Sequence, residues 1–141
     1  MEAASPARLY ASAVGALLVV LGILGFFYDA SFGSLDSYEG ALGALQVNGW
    51  LNLFYVATGA LGLLVAGASS RGYSLAIGLL YTVLAIVGWG TEWLHLLVGL
   101  LGLAAWAGSR QPKKRASKVR RKAPKQPRDS EPRAKAARER A

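Results

Sequence analysis

Two short groups of polar residues are the best candidates for chemistry in this sequence. Asn48, Asn52 and Tyr55 follow the spacing i, i+4 and i+7, and Glu92 precedes His95 by three positions. Spacings of three and four place side chains on one face of a helix. A histidine titrates close to physiological pH, and a neighbouring carboxylate favours its charged form. The two groups therefore predict a polar pocket at the outer ends of two helices, able to bind a proton, an ion or a small ligand.

The same residues also fit a purely structural role. Glu92 would stabilise the start of its helix through the helix dipole. If the two polar stripes face each other, Asn52 or Tyr55 would satisfy His95 with a hydrogen bond, which between membrane helices contributes only about 0.6 kcal/mol. His95 would lie only one turn inside the membrane interface, where a polar group costs less than at the membrane centre. We favour this structural interpretation and keep the pocket as the alternative.

The composition argues against enzymatic and metal chemistry. The sequence contains one histidine and no cysteine, whereas zinc normally takes three or four protein ligands. The common nucleophile, zinc-protease and phosphate-loop motifs do not occur in the sequence. We therefore predict that the protein is not an enzyme and has neither a metal site nor a cofactor.

Four long uncharged runs must position the polar residues. A bilayer core of roughly 30 Å needs about 20 helical residues, and these runs lack the polar stripe of a helix in a soluble bundle. We predict an all-α fold, an integral membrane bundle of four transmembrane helices within a domain covering residues 1–109. The predicted spans are about 9–28, 49–68, 72–90 and 92–109, with residues 40–48 as an interfacial lead-in to the second.

Charged residues are strongly segregated along the chain. Of the 16 Lys and Arg residues, only Arg8 and Arg71 precede residue 110. With four spans, both arginines share one membrane face with the C-terminal segment, and the acidic residues between the spans share the other. Because positive charge is retained on the inside, we predict a multi-pass protein of the cell membrane with both termini cytoplasmic.

Residues 110–141 form a predicted disordered basic tail. They contain four prolines and almost no large apolar side chain, so they cannot bury enough surface to fold alone. A basic residue near an anionic lipid surface contributes about 1 kcal/mol. The candidate contacts with such a surface are Lys113, Lys114, Arg115, Lys118, Arg120, Arg121 and Lys122. An acidic protein is another candidate partner, and nucleic acid is less favoured because no aromatic residues interrupt the charges.

Glycines recur at helical spacing and indicate close packing of helices. The candidate packing residues are Gly22, Gly25, Gly59, Gly62, Gly99 and Gly102. A shift of 40 positions superimposes the second predicted span on the fourth, so that Tyr55 falls on His95 and glycines fall on glycines. The match indicates either a parallel repeat of two-helix units or a coincidence between two glycine-rich helices, and both explanations stay open.

Three short motifs occur in order along the spans: Gly22-Ile23-Leu24-Gly25-Phe26, Gln46-Val47-Asn48, and Trp93-Leu94-His95 followed by Gly99. Together with Asn52 and Gly59 they resemble the bacterial membrane-protein family called domain of unknown function 4383. The resemblance covers residues 10–106 and implies a small four-span protein. It implies no activity.

The chain departs from the pattern of that family in the second span. Members usually show two histidines four residues apart, and the corresponding positions here are Leu51 and Tyr55, while the intervening Asn52 is kept. If the histidines of the family form a metal or proton site, this chain retains one of three members.

These observations predict a multi-pass membrane scaffold or accessory protein whose basic tail contacts anionic lipid or an acidic partner. The glycine surfaces leave a second copy of the chain or another membrane protein as further candidate partners. The alternative is a small-solute or proton-handling membrane protein that uses a polar outer pocket around His95 and Asn52.

Overall fold

Four α-helices and one β-hairpin make up the part of the chain that the computed structural model describes, residues 4–109. The helices are α1 (Pro6–Gly25), α2 (Gly49–Val65), α3 (Ser70–Val87) and α4 (Glu92–Gly108), and the strands are β1 (Gly40–Leu42) and β2 (Leu45–Val47). The predominantly helical fold expected from the sequence is therefore present. The predicted tail, with its candidate lipid contacts at residues 113–122, lies outside the described residues.

Local sequence explains where α1 and α2 begin. Pro6 occupies the first turn of α1, and the Ser5 hydroxyl accepts a hydrogen bond from the Arg8 N–H at 3.3 Å. Asn48 caps α2, because its Oδ1 accepts from the Leu51 N–H at 2.8 Å. Both are preferred capping arrangements. Helix α1 therefore begins before residue 9, where the first uncharged run starts.

The segment expected only as an interfacial lead-in to α2 forms the β-hairpin. Its strands are antiparallel, with Gly40 opposite Val47. The two residues of the turn include Gly43 at φ 63°, a conformation that glycine adopts without strain and that short hairpin turns require. The chain therefore reverses direction once more before α2.

The helices pack as two hairpins, α1 with α2 and α3 with α4. A Cβ atom on Gly59 would lie 2.5 Å from the Gly15 carbonyl oxygen of α1, and one on Gly99 would lie 2.7 Å from the Thr82 nitrogen of α3. The glycines of α2 and α4 therefore bring their helices against α1 and α3. The two glycine stripes do not face each other, and the polar stripes meet only at Tyr55 and His95.

Gly22 and Gly25 of α1 lie directly against Asn52 of α2. A Cβ on Gly22 would lie 2.5 Å from the Asn52 carbonyl oxygen. Gly25 packs on the Asn52 side chain itself. The close approach of α1 and α2 at this end of their interface therefore depends on glycine at both positions.

Gly62 and Gly102 make room for tyrosine side chains of other helices. A Cβ on Gly62 would lie 2.5 Å from the Tyr73 hydroxyl oxygen, and one on Gly102 would lie 2.8 Å from the Tyr10 hydroxyl oxygen. Each tyrosine ring thus reaches across a helix surface that carries no side chain at that point. All six candidate packing glycines consequently lie where another element leaves no room for a larger residue.

Each helical hairpin makes an equivalent hydrogen bond to the other hairpin. The Tyr73 hydroxyl of α3 donates to the Thr58 carbonyl oxygen of α2, and the Tyr10 hydroxyl of α1 donates to the Val98 carbonyl oxygen of α4, each at 2.9 Å. Thr58 and Val98 are related by the 40-position shift seen in the sequence, and Tyr10 and Tyr73 by a shift of 63. These matched hydrogen bonds favour a structural repeat over a coincidence of glycine-rich sequences.

The bundle has two distinct ends. At one end the Ala7 N–H donates to the Ser109 hydroxyl at 2.8 Å, so that the start of α1 meets the end of α4. The connection between α2 and α3 lies at the same end, which we call the terminal end. The opposite end, formed by residues 26–48 and 88–91, is called the loop end.

Two of the helices satisfy the length and hydropathy of a membrane span. They are residues Pro6–Phe26, which include α1, and Ser70–Val87, which is α3. Helices α2 and α4 are also apolar, and each contains 17 residues. Of the four predicted spans, the first and the third therefore meet this criterion within the described residues.

Candidate functional site

His95 lies in the first turn of α4 at the loop end, and its side chain is fully buried. Its Nε2 atom and the Tyr55 hydroxyl of α2 form a hydrogen bond of 2.9 Å. The Tyr55 and Tyr81 rings meet the imidazole edge to face, with ring centroids 5.8 and 5.2 Å away. The structure thus brings together Tyr55 and His95 from the predicted pocket.

The second imidazole nitrogen of His95 is buried as well. Nδ1 has no hydrogen-bond partner of good geometry within residues 4–109, and the Trp89 backbone makes only a weak polar contact with the ring. Gly90 covers the imidazole, because a Cβ at this position would lie 3.1 Å from His95 Cε1 and 3.0 Å from a methyl group of Leu51. A buried nitrogen without a partner is costly, which makes Nδ1 the least satisfied atom of this site.

Leu51 and Tyr55, the two positions where the resemblance expects histidine, both lie beside His95. Leu51 reaches it across Gly90, and Tyr55 reaches it through the hydrogen bond. Three positions that are separate in sequence therefore converge at one point of the loop end.

Asn52 lies on the same broad face of α2 as Tyr55, but its side chain contacts α1 instead of this site. Its Nδ2 donates to the Asp29 carbonyl oxygen at 2.8 Å, and its Oδ1 packs on Gly25 without a hydrogen-bond partner among the described residues. Asn52 therefore joins α2 to the end of α1, and Tyr55, not Asn52, makes the bond to His95.

Asn48 organises the loop between α1 and α2. Besides capping α2, it donates through Nδ2 to the Ser37 carbonyl oxygen at 3.0 Å and to the Leu35 carbonyl oxygen at 3.3 Å. The side chain is buried beneath the loop. Its hydrogen-bonding capacity is used for folding, which leaves none for a ligand of the predicted pocket.

Glu92 is exposed and lies at a cavity of about 560 Å³ on the surface of the loop end. The cavity is lined by residues of β2 and of the connection between α3 and α4, including Gln46, Gly90 and Thr91. Gly90 separates this open cavity from the buried imidazole. The five predicted pocket residues are consequently divided among an internal pair, two loop anchors and one exposed carboxylate.

The segment between α1 and α2, residues 26–48, is called the long loop. Three hydrogen bonds hold it over the connection between α3 and α4. The Gln46 N–H donates to the Thr91 hydroxyl at 2.9 Å, and the Gly90 N–H donates to the Tyr38 hydroxyl at 2.8 Å. The indole N–H of Trp89 donates to the Leu35 carbonyl oxygen at 2.9 Å. These bonds close the loop end above His95.

Sequence reasoning missed a column of buried hydroxyl groups below the imidazole. Tyr81 and Thr58 share a hydrogen bond of 2.8 Å, and the Tyr73 hydroxyl donates to the Thr58 carbonyl oxygen. Tyr10 lies 6.2 Å from Tyr73 between ring centroids. The signal available in the sequence was the recurrence of Tyr10 as Tyr73, each five residues before a glycine, Gly15 and Gly78. The 40-position shift does not relate these two tyrosines.

Two carboxylates of the long loop are held in the charged form by local hydrogen bonds. Hydrogen bonds from the Ser31 side chain and backbone lower the pKa of Asp29, and one from the Ser34 hydroxyl lowers the pKa of Asp36. Burial raises the pKa of Tyr38. The loop therefore keeps a negative charge well into the acidic range.

Within residues 4–109 the structure places no group of three or more histidine, cysteine or acidic side chains where they could share a metal ion. A protein-family model described as "Domain of unknown function (DUF4383)" matches residues 8–107. Comparisons with curated proteins and with solved structures returned no match.

Proposed function

This chain belongs to the DUF4383 family, a domain of unknown function, and from that premise we propose a multi-pass membrane scaffold or accessory protein. In this proposal all four helices cross the membrane and the basic tail contacts anionic lipid. The alternative partners of the tail are an acidic protein and, less favoured, nucleic acid.

The proposal is supported above all by the apolar outer surface of the helices, which surround an interior that also contains buried polar side chains. Asn52, Ser74 and His95 are fully buried, whereas Leu64 is 81% exposed and Ile86 79% exposed. A large continuous apolar surface on a soluble monomer would promote association. Lipid is the solvent in which such a surface is stable, and every buried polar group then needs an internal partner.

The two shorter helices, α2 and α4, are long enough to cross the membrane. A helix of 17 residues extends about 26 Å at 1.5 Å per residue, and spans begin at about 17 residues. Trp93 lies at the start of α4 and Trp106 near its end. Tryptophan favours the two membrane interfaces, so this placement supports a crossing by α4.

Charge supports one orientation of the bundle. Arg8 and Arg71 lie at the terminal end, whereas every carboxylate within residues 4–109 lies in the long loop or at the start of α4. Because basic residues are retained in the cytoplasm, we propose that the terminal end is cytoplasmic and the loop end is external.

The geometry of the loop end supports a scaffold more than a transporter. Tyr55 and His95 Nε2 form a hydrogen bond with each other, Asn48 and Asn52 bind backbone carbonyl groups, and three hydrogen bonds fix the loop above them. A transport pathway would need a polar lining that is open to water. Here the polar side chains are used to hold elements together.

Orientation is testable because the natural chain has no cysteine. Single variants Ser34→Cys, in the long loop, and Ser130→Cys, in the tail, are treated in intact cells with a membrane-impermeant maleimide. The proposal expects labelling of the first and labelling of the second only after lysis. Labelling of the tail from outside would overturn the orientation.

The tail contact is tested with the full chain in nanodiscs. A donor dye on Ser130→Cys should transfer energy to acceptor lipids more strongly in discs containing phosphatidylglycerol than in phosphatidylcholine discs, and high salt should remove the difference because it screens charge. The matched variant replaces the seven basic residues within 113–122 by Gln. Equal transfer in both lipids would overturn the tail proposal.

A second candidate function is proton or small-solute handling at His95. The buried Nδ1 favours it, because this atom has no hydrogen-bond partner of good geometry among residues 4–109 and lies beneath Gly90, which borders the open cavity. In proteoliposomes, loss of a pH-dependent flux in His95→Ala, but not in the distant Ser109→Ala, would support this function. Absence of any flux in the unaltered protein would contradict it.

A further inference from the structure

The open cavity of about 560 Å³ at the loop end, called the loop-end cavity, lies between the β-hairpin and the connection from α3 to α4. Its wall is formed by Ala44 and Gln46 on one side and by Gly88 and residues 90–93 on the other. The two sides are joined where the Gln46 N–H donates to the Thr91 hydroxyl at 2.9 Å. A volume of 560 Å³ falls within the range of small-molecule sites, about 300–1,000 Å³.

Two glycines keep this cavity open. Gly88 and Gly90 have φ angles of 78° and 75°, a left-handed conformation that glycine adopts without strain. A Cβ on Gly88 would also lie 3.1 Å from the Glu92 carboxylate atom Oε1. The backbone therefore favours glycine at both positions, and neither residue has a side chain that could fill the space.

The Glu92 carboxylate lies at the cavity without a cationic partner. Its Oε1 atom is beside Gly88, and both residues line the cavity. The basic residues within 4–109 are Arg8 and Arg71, and both lie at the terminal end of the bundle. Glu92 consequently has no ion-pair partner in the part of the chain that the structure describes.

The charge at the loop end favours a cation as the ligand. The N-terminus of α4 carries a partial positive charge of about 0.5, which the full negative charge of Glu92 outweighs. The other carboxylates of residues 4–109 are Asp29, Asp36 and Glu39, and all three lie in the long loop at the same end. An anion would therefore be repelled, and a cation would be attracted.

The lining favours an ammonium group over a metal ion. Calcium takes about six to eight oxygen ligands, whereas this wall contains a single carboxylate, and no group of three metal-binding side chains occurs within residues 4–109. A primary ammonium group carries three N–H donors. Three of the lining residues have side-chain oxygens that can accept hydrogen bonds, namely Gln46, Thr91 and Glu92. The donors of the cation and the acceptors of the wall therefore match in number.

We propose that the loop-end cavity binds a primary ammonium group, with the Glu92 carboxylate as its counter-ion and the side-chain oxygens of Gln46 and Thr91 as further acceptors. The group belongs to a free small amine or to the head group of phosphatidylethanolamine, because the loop end lies at a membrane surface in the proposed arrangement. The site depends neither on the tail nor on which side of the membrane the loop end occupies.

Binding can be followed in the full chain labelled with 5-fluorotryptophan, because Trp93 also lines the cavity. The protein is placed in nanodiscs of phosphatidylcholine, a lipid without a primary amine, and the Trp93 fluorine signal is identified by its loss in Trp93→Phe. At constant ionic strength, ethylammonium should shift this signal saturably and leave the signal of Trp106, at the other end of α4, unchanged.

Tetramethylammonium has the same charge as ethylammonium but no N–H donor. It should bind about tenfold more weakly, because the hydrogen bonds to the wall are lost. Absence of a saturable shift with ethylammonium would overturn the proposal, and so would equal binding of the two ions.

The counter-ion is tested by Glu92→Gln, which should weaken ethylammonium binding about tenfold because a charge-assisted hydrogen bond becomes a neutral one. Glu39→Gln is the matched control, since it removes the same charge from an exposed position of the loop end outside the cavity. It should change the affinity less than about twofold, because salt screens exposed charges that are not in contact. Equal weakening by the two variants would show a general attraction of cations and would overturn the site.

A second variant protects the test from a folding defect of Glu92→Gln. Gln46→Met keeps the length of the side chain and removes its amide, so it should weaken binding about threefold. The Trp106 signal should stay in place in both variants if the bundle is intact. Unchanged affinity in Gln46→Met would overturn the role of the Gln46 amide.

Nanodiscs of phosphatidylethanolamine identify the source of the ammonium group. If the lipid head group occupies the cavity, the Trp93 signal should lie at its shifted position before any amine is added, and Glu92→Gln should return it. If a free amine is the ligand, ethylammonium should give the same titration in both lipids. Either result supports the site, whereas a shift in phosphatidylethanolamine that Glu92→Gln leaves unchanged would contradict it.

Discussion

The Tyr55 hydroxyl and His95 Nε2 lie 2.9 Å apart and occupy equivalent positions of the two helical hairpins. This hydrogen bond therefore joins α2 to α4, beside the Thr58–Tyr81 hydrogen bond that joins α2 to α3. In the rest of the interface, each of these helices packs mainly on its own hairpin partner. The pair acts as a tie between the repeats.

The energy of this tie can be measured in a double-mutant cycle. Tyr55→Phe and His95→Leu should show a coupling energy of about 0.6 kcal/mol, with an upper bound of about 1.7 kcal/mol, as for other hydrogen bonds between membrane helices. The measurement is equilibrium unfolding in mixed detergent. The control cycle combines His95→Leu with Ser109→Ala at the terminal end, where changes should be additive within about 0.5 kcal/mol. Coupling no larger than in the control would contradict the tie.

Substitution of Gly59 should separate α1 from α2. A Cβ there would meet the Gly15 carbonyl oxygen at 2.5 Å, and because backbone atoms cannot move aside, Gly59→Ala should destabilise the bundle by about 1–3 kcal/mol. Gly72→Ala is the matched control, since no atom lies within 4 Å of the added methyl group. This control should be neutral or stabilising by up to about 1 kcal/mol, because alanine favours helix. Equal effects on the free energy of unfolding would contradict the packing.

The sequence predicted the helices well because their signal is local. Twenty uncharged residues after Arg8 can hardly form anything but a helix, and Asn48 marks the start of α2 by its own side chain. The sequence could not predict which helix each glycine stripe contacts, because a stripe favours close packing but does not determine which neighbouring helix packs against it. Gly59 therefore faces Gly15 of α1, a contact that the repeat with α4 did not reveal.

The predicted pocket was dispersed for a related reason. Helical spacing places Asn48, Asn52 and Tyr55 on one broad face, but α1 and α4 lie against opposite edges of that face. Asn52 consequently reaches Asp29, and Tyr55 reaches His95. The loop that occupies Asn48 has no periodic pattern, so its hydrogen bonds at Leu35 and Ser37 could be found only in the structure.

Asp29 should make the stability of the loop end depend on pH in the acidic range. Hydrogen bonds from Ser31 lower its pKa in the folded protein below the ordinary value of 3.8, so the charged form favours folding. This contribution is present above about pH 4 and is lost as the pH falls through the lowered pKa. The melting temperature of Asp29→Asn should therefore be lower than that of the unaltered protein at about pH 7. The two melting temperatures should approach each other at about pH 3. Glu39→Gln, at an exposed side chain of the same loop, is the control. A melting-temperature difference that is the same at both pH values would contradict the assignment.

Placing histidine at positions 51 and 55 should create a metal site, because Leu51 and Tyr55 both lie beside His95. Leu51 and His95 contact the same face of Gly90, and Tyr55 already lies within hydrogen-bond distance of the imidazole. Three histidine nitrogens supply the ligands of an open tetrahedral site. The double variant Leu51→His and Tyr55→His should therefore bind Co²⁺ with the visible absorption of tetrahedral coordination, whereas the unaltered protein should not.

The matched control places the same two histidines at Leu53 and Ala57, four residues apart on the exposed side of α2 and away from His95. It should bind Co²⁺ more weakly and without the tetrahedral spectrum, since it lacks the third nitrogen. Adding His95→Ala to the Leu51→His and Tyr55→His variant should abolish the spectrum if the three positions converge as the structure places them. A spectrum that survives this third substitution would show that His95 is not a ligand, and that the loop end does not bring α2 and α4 together at this point.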